Sequence, residues 1–185
     1  MMISIGISAR HIHFNQETFK YLFGEDAILY KHKDLYQMNA FAARQTVTIF
    51  NEHFCFNDVR IVGPFKKENQ IEISAADAYF LKINPPISKS GDFTNAETLN
   101  VKVAGKIITL KNRVIIPQRH LHISTEQAKD NQLLEDDRIE IPIKGIKGGI
   151  LSNVFIRTGD FRTELHLDLD DGNAFGIKTD DIIEY

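Results

Sequence analysis

The sequence predicts a mainly β protein with short helices, of the α+β class, built from two related units. Apolar residues occur mostly in short β-branched runs bounded by Gly, Asn, Asp or Pro, as strands are. The helical patterns between these runs are short. A histidine-containing motif occurs twice along the chain, each time before a helix start. The 185 residues are enough to bury a core without disulfides.

Ten runs have the length and composition of strands. In chain order they cover residues 3–7, 46–50, 59–62, 70–74, 99–103, 106–110, 114–116, 138–143, 149–156 and 163–169. Short helices are predicted over residues 15–23, 75–81, 124–132 and 171–175. The first begins at the N-cap Asn15 and ends before Gly24. The third begins at Ser124 with Gln127 three places on, a capping-box pattern.

Charge and composition exclude several classes of function. The chain has 22 basic and 25 acidic residues, a net charge of −3, with the two signs interspersed. Because this leaves no basic patch, we expect no nucleic-acid partner, and a bound anion must be held by a few local residues. No apolar run approaches the roughly 20 residues of a membrane span, so no membrane partner is expected.

The single cysteine and the N-terminal residues bear on location. Cys55 has no disulfide partner within the chain, which favours a reducing compartment. It lies between Phe54 and Phe56, which predicts a buried, unreactive thiol. Residues 1–10 lack a basic region before their apolar stretch and are typical of a first strand rather than a signal peptide. We therefore expect a cytoplasmic protein.

The chain repeats itself. Residues 10–17, which begin Arg-His-Ile-His, return as residues 119–126, which begin Arg-His-Leu-His. Residues 71–77 correspond in the same way to residues 165–171. Two related β-rich units with short helices are therefore predicted.

The repeat divides the chain into a first unit, residues 10–117, and a second unit, residues 118–185. Residues 83–92 are rich in Pro, Ser and Gly. This composition predicts a loop between the units or a lid over a site.

Each copy offers three side chains of the kinds that bind metals. Histidines spaced i, i+2 on an extended segment point to the same side, and neutral imidazole is a common ligand of Zn²⁺. The predicted sets are His11, His13 and Glu72 in the first unit and His120, His122 and His166 in the second. Three protein ligands leave a coordination position open, which is typical of catalytic zinc. Asp168 or Asp170 is expected to orient an imidazole of the second set.

A lone His-x-His pair is more often a hydrogen-bonded or surface pair than a metal site. Here five of the seven histidines fall at matched positions of the repeat, and the unmatched ligand is replaced by Glu72, itself a ligand type. The repeat therefore favours metal binding. The remaining histidines, His32 and His53, lie in polar surroundings, and we expect them to be solvated.

A basic turn precedes Glu72. Residues 63–70 carry Lys66 and Lys67, which form either an anion clamp for phosphate or an exposed charged turn. Arg10 and Arg119 flank the paired histidines but alternate to the opposite strand face. We expect them to form structural ion pairs rather than to take part in catalysis.

These motifs resemble a known family. The resemblance covers nearly the whole chain and rests on residues 6–13, 58–64, 70–74, 90–92, 114–116, 119–122 and 165–168. In these segments the sequence is similar to the phosphate propanoyltransferases of the propanediol-utilisation type, a class of phosphotransacylase. The two-fold Arg-His-x-His pattern with these neighbours is highly specific.

The resemblance implies conversion of acyl-CoA and phosphate into acyl phosphate and CoA, with a short acyl chain, acetyl or propanoyl. It implies a dinuclear zinc site between two small β-barrels capped by short helices. The family's zinc ligands fall on the same two sets that the repeat predicts. It also implies that the strand over residues 1–9 completes the second barrel, and that the protein is a homodimer.

Two departures from the family pattern change these expectations. The family has an Arg six residues before the liganding Glu, credited with holding phosphate, and Lys66 stands there in this chain. Lys66 is therefore the expected phosphate-binding catalytic residue, with a point charge in place of a planar fork. Members that enter microcompartments carry an extension before the first strand, and its lack here favours a free cytoplasmic enzyme.

Two other functions fit the same ligands. A dizinc hydrolase would transfer the acyl or phosphoryl group of a thioester or phosphoester to water. A non-enzymatic metal-binding module would hold zinc without turnover, and the basic turn would then have no substrate. The open coordination position in each set disfavours the module.

Overall fold

The protein is mainly β, as the sequence predicts. The structure is a computed structural model that describes residues 1–37 and 39–185. Strands make up 47% of the chain, and the described residues contain four short helices. The predicted fold class is confirmed.

The strands are numbered in chain order. They are β1 (Met2–Ser8), β2 (His11–His13), β3 (Lys31–Asp34), β4 (Phe41–Phe50), β5 (Cys55–Gly63), β6 (Gln70–Glu72), β7 (Ile87–Ser88), β8 (Glu97–Val103), β9 (Lys106–Pro117), β10 (His120–Ser124), β11 (Arg138–Ile143), β12 (Gly149–Gly159), β13 (Glu164–Asp168) and β14 (Ile182–Glu184).

The helices are α1 (Gln16–Phe23), α2 (Ala75–Leu81), α3 (Thr125–Asp130) and α4 (Leu169–Phe175). Each begins where a side chain accepts the backbone N–H three residues on, which satisfies one donor of the first turn. Asn15 and Ser124 cap α1 and α3, as predicted. The reciprocal capping box occurs in α2, between Ser74 and Asp77.

The chain divides into two compact units. The first unit consists of Arg10–Leu35 and Asn39–Pro117. The second unit consists of Met1–Ala9 and Gln118–Tyr185, with residues 36–37 between the two parts of the first. The N-terminal strand β1 thus belongs to the sheet of the C-terminal residues.

The first unit contains a closed six-stranded barrel. Its strands follow one another in the order β4, β5, β2, β6, β9 and β8, and β8 pairs back to β4. β3 and β7 extend it at β4 and β9. The barrel is filled by residues that alternate along the strands. Among them are the fully buried Ile12, Ile61, Ile71 and Val114.

The second unit is a curled half-barrel. Its six strands lie in the order β11-β12-β10-β13-β1-β14. β1 is parallel to β13 and antiparallel to β14, so that Ile5 lies opposite Leu165. Ile3, Ile5, Leu121 and Leu165 are fully buried in its core. The β-branched runs that predict strands therefore supply the core of both units.

Several elements differ from the sequence prediction. β3, β7 and β14 fall outside the predicted strands, and β2 and β10, also outside the ten runs, form at the paired histidines that were expected to be extended. Residues 106–110 and 114–116 form a single strand, β9, in which Asn112 takes the left-handed backbone conformation with φ of 53°. Residues 83–92 do not connect the units but lie within the first, where they contribute β7.

The prediction that Cys55 is buried is wrong. This residue begins β5 and is exposed. The neighbouring Phe56 packs against the core of the first unit, and successive side chains of a strand point to opposite faces. Cys55 therefore faces solvent.

A search of the described helices for a bilayer-spanning segment finds none of sufficient length and hydropathy.

Candidate active site

The strand register of the first unit brings its three predicted ligands together. β2 lies between β5, to which it is parallel, and β6, to which it is antiparallel, with His11 opposite Glu72. His11 Nε2 is 3.4 Å from Glu72 Oε2, and His13 Nε2 is 3.9 Å from Glu72 Oε1. One ligand atom from each residue lies within 4.8 Å of the others. All three residues are at most 9% exposed.

Neighbouring groups orient this set. Nδ1 of His13 is 3.0 Å from the carbonyl oxygen of Val62, which leaves Nε2 free to bind an ion. The side-chain amide of Gln70 donates to Glu72 Oε1. Burial, together with the neighbouring His11 and Lys66, lowers the pKa of His13 to about 3. His13 is therefore neutral at physiological pH, the form that binds metals.

The second unit repeats this arrangement. β10 lies between β12, to which it is parallel, and β13, to which it is antiparallel, with His120 opposite His166. The rings of His120 and His166 are stacked with centroids 4.8 Å apart, and those of His122 and His166 are 4.4 Å apart. One nitrogen of each lies within 4.8 Å of the others. The predicted ligands of each unit therefore cluster.

His120 and His122, the first two histidines of the second set, are neutral at physiological pH. Burial, together with the neighbouring His166 and Arg157, lowers the pKa of His122 to about 3 and that of His120 well below its usual value. Nδ1 of His120 is 2.9 Å from the carbonyl oxygen of Gln118, which leaves Nε2 for an ion. The ring of Phe161 stacks on His122 at 4.1 Å and shields it from water.

The two donor sets fit Zn²⁺. Imidazole nitrogens and a carboxylate oxygen are its usual ligands, and a set of three leaves a position for substrate or water. Nε2 of His166 is buried and forms no hydrogen bond among the described residues, although Glu164 Oε2 lies 2.7 Å away. A buried nitrogen without a hydrogen bond is suited to bind an ion, because its burial otherwise costs free energy.

Arg10 and Arg119 form structural ion pairs, as expected. Nη2 of Arg10 is 2.6 Å from Asp77 Oδ1, and Nη2 of Arg119 is 2.6 Å from Asp171 Oδ1. Each Asp lies in the first turn of the helix that follows the third ligand of its unit. The pairs tie the paired histidines to α2 and α4.

Asp168 caps α4 in the structure, and the role of Asp168 or Asp170 in orienting an imidazole stays a prediction. Asp168 Oδ1 accepts the backbone N–H of Asp171 at 2.8 Å and begins α4. Asp170 lies in the first turn of the same helix. Burial raises the pKa of Asp168 above its usual range. Backbone carbonyls, which have no signal in the sequence, orient His13 and His120.

Lys66 is linked to the metal set of the first unit through side chains. Its Nζ donates to Ser90 Oγ at 3.2 Å, and Gln70 Nε2 donates to the same oxygen at 2.9 Å. Gln70 Oε1 accepts the N–H of Gly91 at 2.8 Å. Residues 83–92 therefore bring Ser90 beside the basic turn. Gln70 and Ser90 were not predicted as site residues, because polar residues of these types carry no ligand signal in isolation.

The other two histidines take no part in the clusters. His32 lies in β3 and is exposed, and His53 is exposed beside Glu52, with Nε2 3.3 Å from Oε1. The prediction that both are solvated is confirmed.

Comparisons with known proteins agree with the geometry. A family model described as phosphate propanoyltransferase matches residues 4–178. The phosphate propanoyltransferase of Rhodobacter capsulatus is 34% identical over 183 residues, 98% of this chain and 85% of the relative. That of Thermotoga maritima is 34% identical over 98% of this chain and 87% of the relative. That of Citrobacter koseri is 35% identical over 97% and 86%.

A duplicated β scaffold with one cluster of buried ligands in each copy, together with these matches, defines an enzyme of the phosphate acyltransferase class. Within that class the matches cover almost the whole chain. The chain belongs to the phosphate propanoyltransferase family.

Proposed function

We propose that the protein transfers a short acyl group, acetyl or propanoyl, between CoA and inorganic phosphate at a dinuclear zinc site. One observation carries this proposal. The ammonium of Lys66, Ser90 and Gln70 form a continuous hydrogen-bonded connection to Glu72, so an anion-binding group adjoins a metal-ligand set. An ion alone has no need of such a group, whereas a phosphate that reacts beside an ion does.

Each unit would hold one of two zinc ions per chain. The ligands are His11, His13 and Glu72 in the first unit and His120, His122 and His166 in the second. When bound, Zn²⁺ supplies Lewis acidity that polarises the thioester carbonyl and favours departure of the CoA thiolate. The neutral state of His13 and His122 means that no proton has to leave these rings before an ion binds.

Lys66 would bind and orient phosphate. Its side chain is exposed, so an incoming anion can reach Nζ, and its backbone N–H is fixed by the carbonyl of Phe14 at 2.9 Å. Ser90 accepts one hydrogen bond from Nζ, and an ammonium has three N–H donors. A lysine provides charge without the bidentate fork of arginine, so it attracts phosphate but constrains its orientation less.

The reaction then needs no covalent intermediate on the protein. A phosphate oxygen attacks the thioester carbonyl carbon, the new C–O bond forms, and the C–S bond breaks with its electron pair leaving on the CoA sulfur. The only cysteine, Cys55, is exposed on β5 and lies outside both ligand sets. The chain's contribution is to position phosphate and thioester and to hold the ions.

A coupled assay tests this function. Acetyl-CoA or propanoyl-CoA is incubated with and without phosphate, before and after chelation, and free thiol and acyl phosphate are measured. We expect phosphate-dependent thiol release with equal formation of acyl phosphate, lost on chelation and restored by Zn²⁺. Thiol release without phosphate would instead indicate a hydrolase. Tight zinc binding without turnover would indicate a metal-binding module.

We propose further that the enzyme is a cytoplasmic homodimer that takes small-molecule substrates only. The near-neutral charge and the single unpaired cysteine support the location and the lack of a nucleic-acid partner. The dimer rests on the family resemblance.

A further inference from the structure

Glu164 occupies a position that the repeat makes directly comparable with Gln70. On β6, Gln70 lies opposite His13, and Glu72 lies opposite His11. On β13, Glu164 lies opposite His122, and His166 lies opposite His120. Each unit therefore has two neighbouring inward positions facing its paired histidines. One unit fills them with Gln and Glu, the other with Glu and His.

The exchange keeps one carboxylate in each unit. In the first unit the carboxylate is the ligand Glu72, and the neighbouring Gln70 is neutral. In the second unit the ligand at the matching position is an imidazole, His166, and the carboxylate stands two residues earlier on the strand, at Glu164. A divalent ion in the second set would otherwise meet three neutral rings and no negative charge from its ligands.

The contacts of Glu164 direct its carboxylate at this set. Glu164 is 4% exposed, and its Oε2 is 2.7 Å from Nε2 of His166. Although the two atoms are this close, that nitrogen has no hydrogen-bond partner among the described residues. A buried carboxylate this close to a ring nitrogen restrains the orientation of the imidazole and places a negative charge beside the ligand set.

Gly6 makes room for this carboxylate. It lies opposite His166 on the neighbouring strand β1, and a Cβ at this position would be 2.6 Å from Glu164 Oε1. A Cβ at residue 6 would require this carboxylate to shift. The backbone of β1 is thus shaped to admit a buried carboxylate, whose burial is costly unless it is paired.

We infer that Glu164 is a positioning residue of the metal site in the second unit, which orients His166 and offsets the charge of the bound ion. The inference rests on the proposed function, because it concerns an ion bound to His120, His122 and His166. Carboxylates beside a liganding imidazole fix the ring and raise its basicity, and their loss weakens metal binding by about 10- to 100-fold.

The test isolates the second set. Glu72→Ala removes a ligand of the first set, and the Zn²⁺ affinity of the remaining site is measured by competition with a chromophoric chelator. Glu164→Gln is then added, which keeps the shape of the side chain and removes its charge. We expect the affinity to fall by about 10- to 100-fold. An affinity within threefold of the Glu72→Ala protein overturns the inference.

Asp168→Asn is the matched control. Asp168 is also a buried carboxylate two residues from His166, but on the other side, where it caps α4. Asn caps helices about as well as Asp, so the helix start is kept while the charge is removed. Zn²⁺ affinity should stay within threefold. An equal loss in both variants would mean that any nearby charge suffices and would overturn the specific role of Glu164.

Two further measurements separate the remaining explanations. The unfolding midpoint of the metal-free protein should not fall in Glu164→Gln, and a large fall together with lost affinity would show a structural role and overturn the inference. Glu164→Asp, which keeps the charge on a shorter side chain, should restore part of the affinity. If the unsubstituted protein binds no Zn²⁺, the proposed metal sites themselves fail. Two equivalents of Zn²⁺ bound to the unsubstituted protein and one bound to Glu72→Ala would support the proposed sites independently of the result for Glu164.

Discussion

The two units hold their ligand sets in the same way but differ in what surrounds them. In both, a short strand carrying His-x-His pairs in parallel with one strand and antiparallel with another that carries the third ligand. In both, the Arg before the first His pairs with an Asp in the helix that follows the third ligand. These shared features fix the position of the ligands.

The differences lie in the loops and in the neighbours of the third ligand. The first unit adds Lys66 and Ser90, a positively charged edge beside its set. The second unit adds Phe161 against His122, and the positive charge of Arg157 lowers the pKa of His120 and His122. Strand register therefore preserves the ligand geometry of the duplicated unit, while the residues around each ligand set differ between the copies.

The largest effect is expected from removing one ligand of either set. Glu72→Ala and His166→Ala should each lower kcat/KM for acyl-CoA and phosphate by at least about 10³-fold, because a Lewis-acid ion contributes several kcal/mol to transition-state stabilisation. Initial rates of thiol release measure this, and bound zinc per chain shows which ion is lost. His53→Ala, at an exposed histidine, serves as the control.

This pair of variants tests whether both units take part in catalysis. Equal losses support two ions with joint roles. A His166→Ala enzyme that loses one zinc but keeps most of its activity would show that the second set is structural. The two units would then share a fold and ligand geometry but not a catalytic role.

A smaller and more selective effect is expected at the anion-binding edge of the first unit. Lys66→Ala should raise the KM for phosphate by about 10- to 100-fold, because a charge-assisted hydrogen bond is worth about 1.5–3 kcal/mol. The KM for acyl-CoA should change little. Initial rates over a range of phosphate concentrations provide the measurement.

Two variants control this prediction. Lys67→Ala removes a neighbouring charge of the same turn and should change the KM for phosphate by less than about threefold, as expected for a surface charge. Lys66→Arg should retain phosphate use. Equal effects at Lys66 and Lys67 would contradict a specific contact and favour general attraction by a charged turn.

The smallest effect is expected at the ion pairs, on stability. Arg119 donates to Asp171 through Nε and Nη2 and to the carbonyl of Ser152 through Nη1. Among the described residues, the guanidinium of Arg10 donates hydrogen bonds to Asp77 alone. Arg119→Ala should lower the free energy of unfolding by about 2–3 kcal/mol and Arg10→Ala by about 1–2 kcal/mol.

Chemical denaturation of the metal-free variants measures the difference. The structure gives Arg119 the larger set of bonds, and the hydrogen bond to Asp171 raises its pKa. A larger loss for Arg10→Ala would reverse the order and show that the stacking of Arg10 on Phe56, at 4.2 Å, outweighs the additional bonds.

Features encoded by local periodicity were predictable from the sequence. The i, i+2 spacing of His11 and His13 fixes their common face whatever the neighbouring strands are, and the caps Asn15 and Ser124 mark helix starts by local hydrogen bonds. The repeat then adds Glu72 and His166, because an equivalent register brings equivalent positions opposite the histidines. Clustering of both ligand sets follows from these features.

Features that depend on distant partners were not predictable. β14 is a strand because β1 lies beside it, and the exposed β3 because it pairs with β4. The contact of Glu164 with His166 depends on the space left by Gly6, which lies on another strand far away in the sequence. For Cys55, the local hydrophobicity of both neighbours suggested burial, but strand alternation turned the thiol outward.

The placement of β1 has a consequence for synthesis of the chain. Ile5 is translated before residues 10–117, but its sheet partner Leu165 is translated after them. The barrel formed within residues 10–117 finds all its strand partners in its own segment and can close while translation continues. The leading strand stays unpaired throughout that interval. Completion of the half-barrel is therefore a late, long-range step, and delayed elongation over the final strands would prolong exposure of an apolar edge.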